Sequence, residues 1–141
     1  MPLTTSLFIY GTLISQEVYQ LVTGRDRTGI EAVVHGYSVR RLPGAVYPVM
    51  IESPGESAVG LILPNLTQNE LNRLDAYEDS FYERLIVTAQ ITNGQKTDAW
   101  AYILPQNHNI KPSQEIWTYD EFAANHLKDF LLRLESFGWD E

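Results

Sequence analysis

The 141-residue chain contains no cysteine. That excludes disulfides, thiolate metal sites and a cysteine nucleophile, and it is compatible with a reducing, cytoplasmic setting. No apolar run approaches the roughly 20 residues a membrane-spanning helix needs, and the N-terminus has no basic region followed by an apolar stretch, so no membrane association is expected. Basic residues are scarce too. Ten Lys and Arg against 18 Asp and Glu leave a formal net charge of -8, which repels phosphate backbones and anionic lipid and argues against nucleic-acid binding. The one basic pair, Arg40-Arg41, reads as a solubility device on an edge strand. There is no Gly-x-Ser-x-Gly elbow, no His-x-x-x-His and no acidic cluster with metal-ligand spacing. Of the three histidines, His35 falls on a strand, His108 in a polar loop and His126 on a helix stripe as an interfacial side chain; no two have the spacing of ligands. No repeat or linker interrupts the chain, so residues 1–141 are read as a single domain.

Among the residues present, Glu78 in Leu74-Asp75-Ala76-Tyr77-Glu78 stands out. Thr67 followed by Glu70 is a capping box, with Leu66 and Leu71 as its hydrophobic staple, so a helix begins near Gln68. Leu71, Leu74 and Glu78 are then spaced i, i+3, i+7, which puts the carboxylate on the face its leucines turn toward the core. Burial disfavours the charged form of an acid and moves it toward the range where it can both take and give a proton near neutrality. A carboxylate that merely ended the helix would oppose the macrodipole there, which weighs against a purely structural role. At the other end of the chain Leu7-Phe8-Ile9-Tyr10 reads as a buried strand running into Gly11-Thr12-Leu13. A glycine at that turn lets the backbone approach a ligand, and the N–H groups that follow can hold a carboxylate or an oxyanion.

Further along, Ser15 caps a short helix over Gln16 to Thr23 that stops at Gly24. Ile30 to Leu42 reads as a strand with a bulge or bend at Gly36. Two strands are expected next, Val46 to Glu52 and Ala58 to Leu63, joined through Ser53-Pro54-Gly55. Asn93-Gly94 signals a two-residue type I′ hairpin that sets Val87 opposite Trp100 and Leu85 opposite Tyr102. Pro105 to Pro112 is a polar loop. Thr118 then caps a long helix, with Glu121 at the reciprocal position, Trp117 stapled to Phe122, and an apolar stripe through Ala123, His126, Leu127, Phe130, Leu131 and Leu134. About six strands in mostly hairpin-like succession, with few and separated helices, define an α+β fold: a small curled mixed sheet or barrel with flanking helices.

The series Tyr10-Gly11-Thr12-Leu13, Tyr47-Pro48-Val49, Val59-Gly60 and Leu74-Asp75-x-x-Glu78 with Tyr82-x-Arg84 resembles the gamma-glutamylcyclotransferase-like family. That family includes the gamma-glutamylamine cyclotransferases and the plant avirulence-induced proteins. Trp117-x-x-x-Glu121-Phe122 is similar to a tail of the plant-type members, so the resemblance spans nearly the whole chain. Tyr-Gly-Thr-Leu in place of the Tyr-Gly-Ser-Asn of glutathione-pathway members, and Asp79 where a glycine often follows the acid, set the chain nearer the amine-type and plant-type branches. The resemblance implies a compact barrel with a cavity at the end of the first strand. It also implies a cofactor-independent cyclisation of a small gamma-glutamyl compound to 5-oxoproline with release of an amine or amino acid, an acyl-transfer or lyase-type reaction. The matching residues are Glu78 as general acid and base and Tyr10 to Leu13 as the binding segment, here extended to Ile14 and Ser15; Tyr82 is open to two readings, a substrate contact through its hydroxyl or a packing residue of the sheet.

Several neighbours compete for these roles. Glu83 is a second acid, read as an exposed partner of a basic residue; Asp75 and Asp79 are read as solvent-facing or loop-capping; Arg84 orders the Glu78 loop; and Trp100 or Tyr102 is available to line the pocket. A different class of function is open on the same residues, a non-catalytic module that binds a small carboxylate in the same cavity and acts in regulation. An adaptor that engages a partner through the Pro105 to Pro112 loop is a third. Oligomeric state leaves no sign in the sequence.

Overall fold

A computed structural model describes residues 5–78, 81–105 and 109–137. Asp79 and His108, and with His108 part of the Pro105 to Pro112 loop, lie outside the described residues. Five strands close into a barrel in the order β1-β3-β2-β4-β5: β1 Leu7–Ile9, β2 Ile30–Arg41, β3 Pro48–Leu63, β4 Glu83–Ile91 and β5 Lys96–Ile103. All pairings are antiparallel except β1 with β5, which closes the barrel in parallel at Leu7 and Trp100. The sheet is therefore mixed and curled, as the pattern of strands predicts. One buried cluster of the barrel combines five alanines, Ala32, Ala58, Ala89, Ala99 and Ala101, with larger side chains such as Phe8, Met50 and Ile62.

The five strands instead of six have a local cause. The two strands expected on either side of Ser53-Pro54-Gly55 are one strand, because both halves pair with β2: Ser57 faces His35 and Glu52 faces Tyr37. Residues 53–56 bulge outward opposite Gly36, whose φ of +87° suits glycine. Pro-Gly, a strong turn signal, marks a kink here and no reversal.

The β4–β5 hairpin is also a correction. Ile91 N donates to Gln95 O, Gly94 N donates to Ile91 O, and only Gly94 of the turn has positive φ. This is a three-residue loop with a glycine bulge, not the two-residue type I′ turn, in which both central residues need positive φ. The extra residue moves the register by one, so Ile86 faces Trp100 and Leu85 faces Ala101. A slip of one reverses which side chain meets which across the sheet. Val87 and Ala99 consequently meet inside the barrel, while Trp100 and Tyr102 face the helical layer.

Helix α1, Gln16–Thr23, is capped by Ser15 through Val18 N and ends at Gly24. Helix α2, Gln68–Tyr77, has the capping box in full: Glu70 N donates to Thr67 Oγ1 at 3.1 Å and Thr67 N donates to Glu70 Oε1 at 2.9 Å. These two helices and the last one cover one outer flank of the barrel through Leu7, Ile9, Val18, Tyr19, Val22, Leu71 and Leu74. Removing the cap with Thr67→Ala is expected to cost about 1 kcal/mol, read as a fall in the chemical-denaturation midpoint at unchanged slope.

The C-terminal helix divides. Helix α3 is Tyr119–Asn125 and helix α4 is Leu127–Phe137, separated at His126, whose φ of −132° leaves the helical region. Phe122 thus joins Trp117 in the barrel core, their ring centroids 5.6 Å apart, while Leu131 and Leu134 pack in the outer layer and His126 itself is exposed. Thr118 accepts from Glu121 N as expected, but the Glu121 carboxylate turns to Arg41. Arg41 also pairs with Glu115 at 3.4 Å, and Arg40 with Glu56 at 2.7 Å. Arg41 therefore fastens the C-terminal segment to β2, where Arg40 forms a backbone bridge with Ile116 while its side chain ties β2 to β3; the pair does not protect a free edge.

Candidate functional site

Strand β1 is buried throughout and delivers Tyr10 and Gly11 to one end of the barrel. There the chain makes a 3-10 turn over Thr12–Ile14, closed by Ile14 N to Gly11 O and Ser15 N to Thr12 O, each 3.1 Å. Such a turn leaves its first N–H groups, those of Gly11, Thr12 and Leu13, without intrahelical acceptors. A Cβ on Gly11 would lie 3.1 Å from Cγ and Cδ of Pro48, so the absence of a side chain lets this turn sit against the Tyr47-Pro48 segment.

Glu78 arrives from the opposite side. It is not on the helical stripe the spacing predicts: α2 ends at Tyr77, and Glu78 is the C-cap, with extended φ and ψ of −73° and 146° and its N–H donating to Leu74 O at 3.1 Å. Leaving the helix turns the half-buried residue into the same cavity as Tyr10. The preceding residue ties the two segments together, since the Tyr77 hydroxyl lies 2.8 Å from Thr12 Oγ1.

The cavity between them measures about 120 Å³. Tyr10, Gly11, Thr12, Leu13 and Tyr82 line it together with Glu78; Ile14 and Ser15 do not, because the turn carries them away and Ser15 is committed to capping α1. Side chains that the sequence reading left out of the site complete the wall, notably Tyr47, Pro48, Tyr77 and Phe130. Tyr47-Pro48 was a visible motif, and Tyr77 adjoins the acid; Phe130 carried no signal beyond its place on an apolar stripe. Of the two aromatic candidates on β5, Tyr102 lines the cavity and Trp100 does not. Glu83 is exposed at the start of β4.

Hydrogen bonds hold the tyrosines in place. Tyr10 donates to Tyr102 O at 2.6 Å, Tyr102 donates to Asp75 Oδ1 at 2.7 Å, and Tyr82 donates to Pro48 O. Asp75 is thus not simply turned to solvent; it also takes Arg84 at 2.9 Å, and that guanidinium stacks 4.6 Å over Trp100. Arg84 does not line the cavity; its ion pair with Asp75 ties the start of β4 to α2. Burial, and then the Glu78 charge, push the Tyr10 phenol well above its ordinary value of 10.0. Burial, the Asp75 hydrogen bond and charge, and the Glu78 charge push up Tyr102. Both phenols remain protonated through the neutral range. A phenol whose value is raised by folding contributes stability that is fully present below its unfolded value and is lost as pH rises from there through the folded one. Melting temperature is expected to fall above about pH 10, and Tyr102→Phe should flatten that fall.

An α+β barrel with a cavity between a strand-end turn and a helix-terminal acid defines a class, and the comparisons name it. The chain belongs to the family described as gamma-glutamyl cyclotransferase, AIG2-like, whose profile matches residues 7–121. It is 29% identical over 132 residues to AIG2-like protein C of Arabidopsis thaliana, covering 93% of this chain and 76% of that protein. An Arabidopsis thaliana protein solved in solution is similar with a TM-score of 0.73 at 25% identity, over 97% of this chain and 83% of that one. A structure named gamma-glutamyl cyclotransferase shares the fold, with a TM-score of 0.65 at 16% identity over 92% and 85%. No helix among the described residues is long and apolar enough to cross a membrane.

Proposed function

We propose that the protein is a cofactor-independent gamma-glutamylcyclotransferase-type enzyme that closes the glutamyl part of a small gamma-glutamyl compound to 5-oxoproline and releases an amine. The observation that carries this reading is the single cavity lined by both Glu78 and the Tyr10 to Leu13 turn.

The nucleophile belongs to the substrate. Its α-amine attacks its own γ-carbonyl, and the high effective molarity of a five-membered closure replaces a protein nucleophile. Glu78 takes a proton from the α-ammonium; the new N–C bond forms and the carbonyl oxygen becomes an oxyanion. Collapse of that intermediate breaks the C–N bond to the leaving amine, which receives a proton from Glu78. In all, the α-nitrogen gives up two protons and the departing nitrogen gains two, leaving as an ammonium. The N–H groups of Gly11, Thr12 and Leu13 bind the α-carboxylate or the oxyanion, Tyr10 and Tyr82 bound the pocket, and the Tyr77 to Thr12 contact keeps donor turn and acid in register.

The test is incubation of purified protein with a panel of gamma-glutamyl amides and amino acids, followed by detection of 5-oxoproline. Release from at least one member is expected. A silent panel combined with a ligand-induced rise in melting temperature would replace this reading with a non-catalytic carboxylate-binding module.

A further inference from the structure

The 3-10 turn that carries the cavity's backbone N–H groups ends at Ile14, and a cation holds its last carbonyl. Were the turn continuous with α1, Val18 N would donate to Ile14 O. It donates instead to Ser15 Oγ at 3.2 Å, as part of the cap. Ile14 O is taken by Arg27, whose Nε and Nη2 both donate to it, at 3.0 and 2.5 Å. Arg27 lies in the α1–β2 loop, and α1 grips that loop in turn. The Gln16 side chain accepts from Arg27 N at 2.7 Å and donates to Arg27 O at 3.3 Å, and Gln20 Nε2 donates to Asp26 Oδ1. A second guanidinium makes the same kind of bond elsewhere: Arg73 Nε donates to Val22 O at 2.7 Å, near the other end of α1.

We infer that Arg27 is a positioning residue for the cavity, fixing the peptide that ends the 3-10 turn and so aiming the N–H groups of Gly11, Thr12 and Leu13. This rests on the proposed cyclotransferase reading. The turn is three residues long, and Ser15, with extended φ and ψ of −66° and 125°, breaks the helical path between it and α1. So short a turn has poor hydrogen-bond geometry and does not set its own direction. On the cavity side Thr12 Oγ1 meets the Tyr77 hydroxyl at 2.8 Å; at the far end of the turn Arg27 supplies the second anchor. Ile14 is half-buried, so water could satisfy its carbonyl. What a guanidinium gripped by Gln16 adds is orientation, because two charge-assisted bonds to one oxygen restrain its direction as well as its distance. Displacing catalytic donors by about 1 Å costs about 10²-fold in rate.

The experiment compares Arg27→Met, Arg27→Lys and Arg73→Met with the wild type. Met keeps an apolar stem and removes the donors; Lys keeps the charge but replaces the planar fork by a compact ammonium. The readouts are kcat/KM for 5-oxoproline release, taken well below each melting temperature, and the backbone amide shifts of Gly11, Thr12 and Leu13 in a nitrogen–proton correlation spectrum. Arg27→Met is expected to lower kcat/KM about 10- to 100-fold and to move those three amides, with Arg27→Lys between it and the wild type. Arg73→Met loses a bond of the same kind, so its melting temperature should fall while kcat/KM and the three amides stay essentially those of the wild type. Unchanged kcat/KM in folded Arg27→Met would overturn the inference, and so would a loss that Arg73→Met matches, which would mark general support of α1. If Arg27→Met does not fold, Arg27→Lys carries the test, and wild-type kcat/KM in it overturns the inference. Each of these outcomes leaves the wild type active and the cyclotransferase reading standing. A wild type silent toward the whole panel would remove that reading and this inference with it.

Discussion

Glu78→Gln is expected to lower 5-oxoproline release by about 10³-fold or more, since general acid and general base catalysis each contribute about 10² to 10⁴ and one carboxyl group serves both. The substitution keeps shape and volume while removing the group that exchanges the proton. Its backbone N–H on Leu74 O does not depend on the side chain, so the C-cap of α2 should be kept. Glu78→Asp retains the carboxyl but withdraws it by one methylene, so partial activity is expected there, below wild type and above Gln. Measuring kcat alongside the melting temperature separates chemistry from stability. If folded Glu78→Gln kept more than about a tenth of the wild-type rate, the proton would have to travel by another group, contrary to the magnitude expected of acid and base catalysis.

The largest expected effect on stability belongs to Gly60→Ala. A Cβ there would sit 2.1 Å from Ile9 O and 2.9 Å from Phe8 Cζ. The phenyl ring has some freedom to shift, but the carbonyl is backbone, held in the β1–β3 ladder where Ile9 faces Leu61. The clash must separate the two strands, at a cost of about 3 kcal/mol or more, in the upper range for overpacked cores. For a domain of this size that is a fall in melting temperature of roughly 10 °C. Gly55→Ala is the control: nothing lies within 4 Å of its Cβ, and the penalty comes only from a φ of +88°, about 1 kcal/mol. Because β1 runs directly into Tyr10 and Gly11, Gly60→Ala should also reduce activity beyond what the unfolded fraction explains. Similar melting temperatures for the two variants would show that β1 and β3 separate easily.

The local signals that proved accurate share a physical basis. The Thr67 to Glu70 box, the Ser15 cap with its Gly24 stop, and the bulge at Gly36 each depend on residues within a few positions, so the pattern in the chain and the hydrogen bond in the molecule are nearly the same fact. The errors lie where a partner distant in sequence decides. Ser53-Pro54-Gly55 reads as a reversal, yet β2 pairs with both of its flanks and draws them into one strand. The β4–β5 turn takes an extra residue, which moves every cross-strand pair by one. Glu121 exchanges its local cap role for Arg41, some 80 positions away.

The site divides in the same way. The sequence by itself determined that a capped helix would begin near Gln68, that a glycine turn would follow β1, and that the chain has no cysteine or metal-ligand motif, because composition and short-range capping need no tertiary partner. Only the tertiary structure decided that the acid meets the turn by leaving its helix, that Ile14 and Ser15 point away from the cavity, and that Tyr47, Tyr102 and Phe130 close the wall. Those outcomes follow from barrel closure, which gathers side chains from β1, β5, α2, α4 and the loop before β3 around one opening, and no interval along the chain encodes that distance.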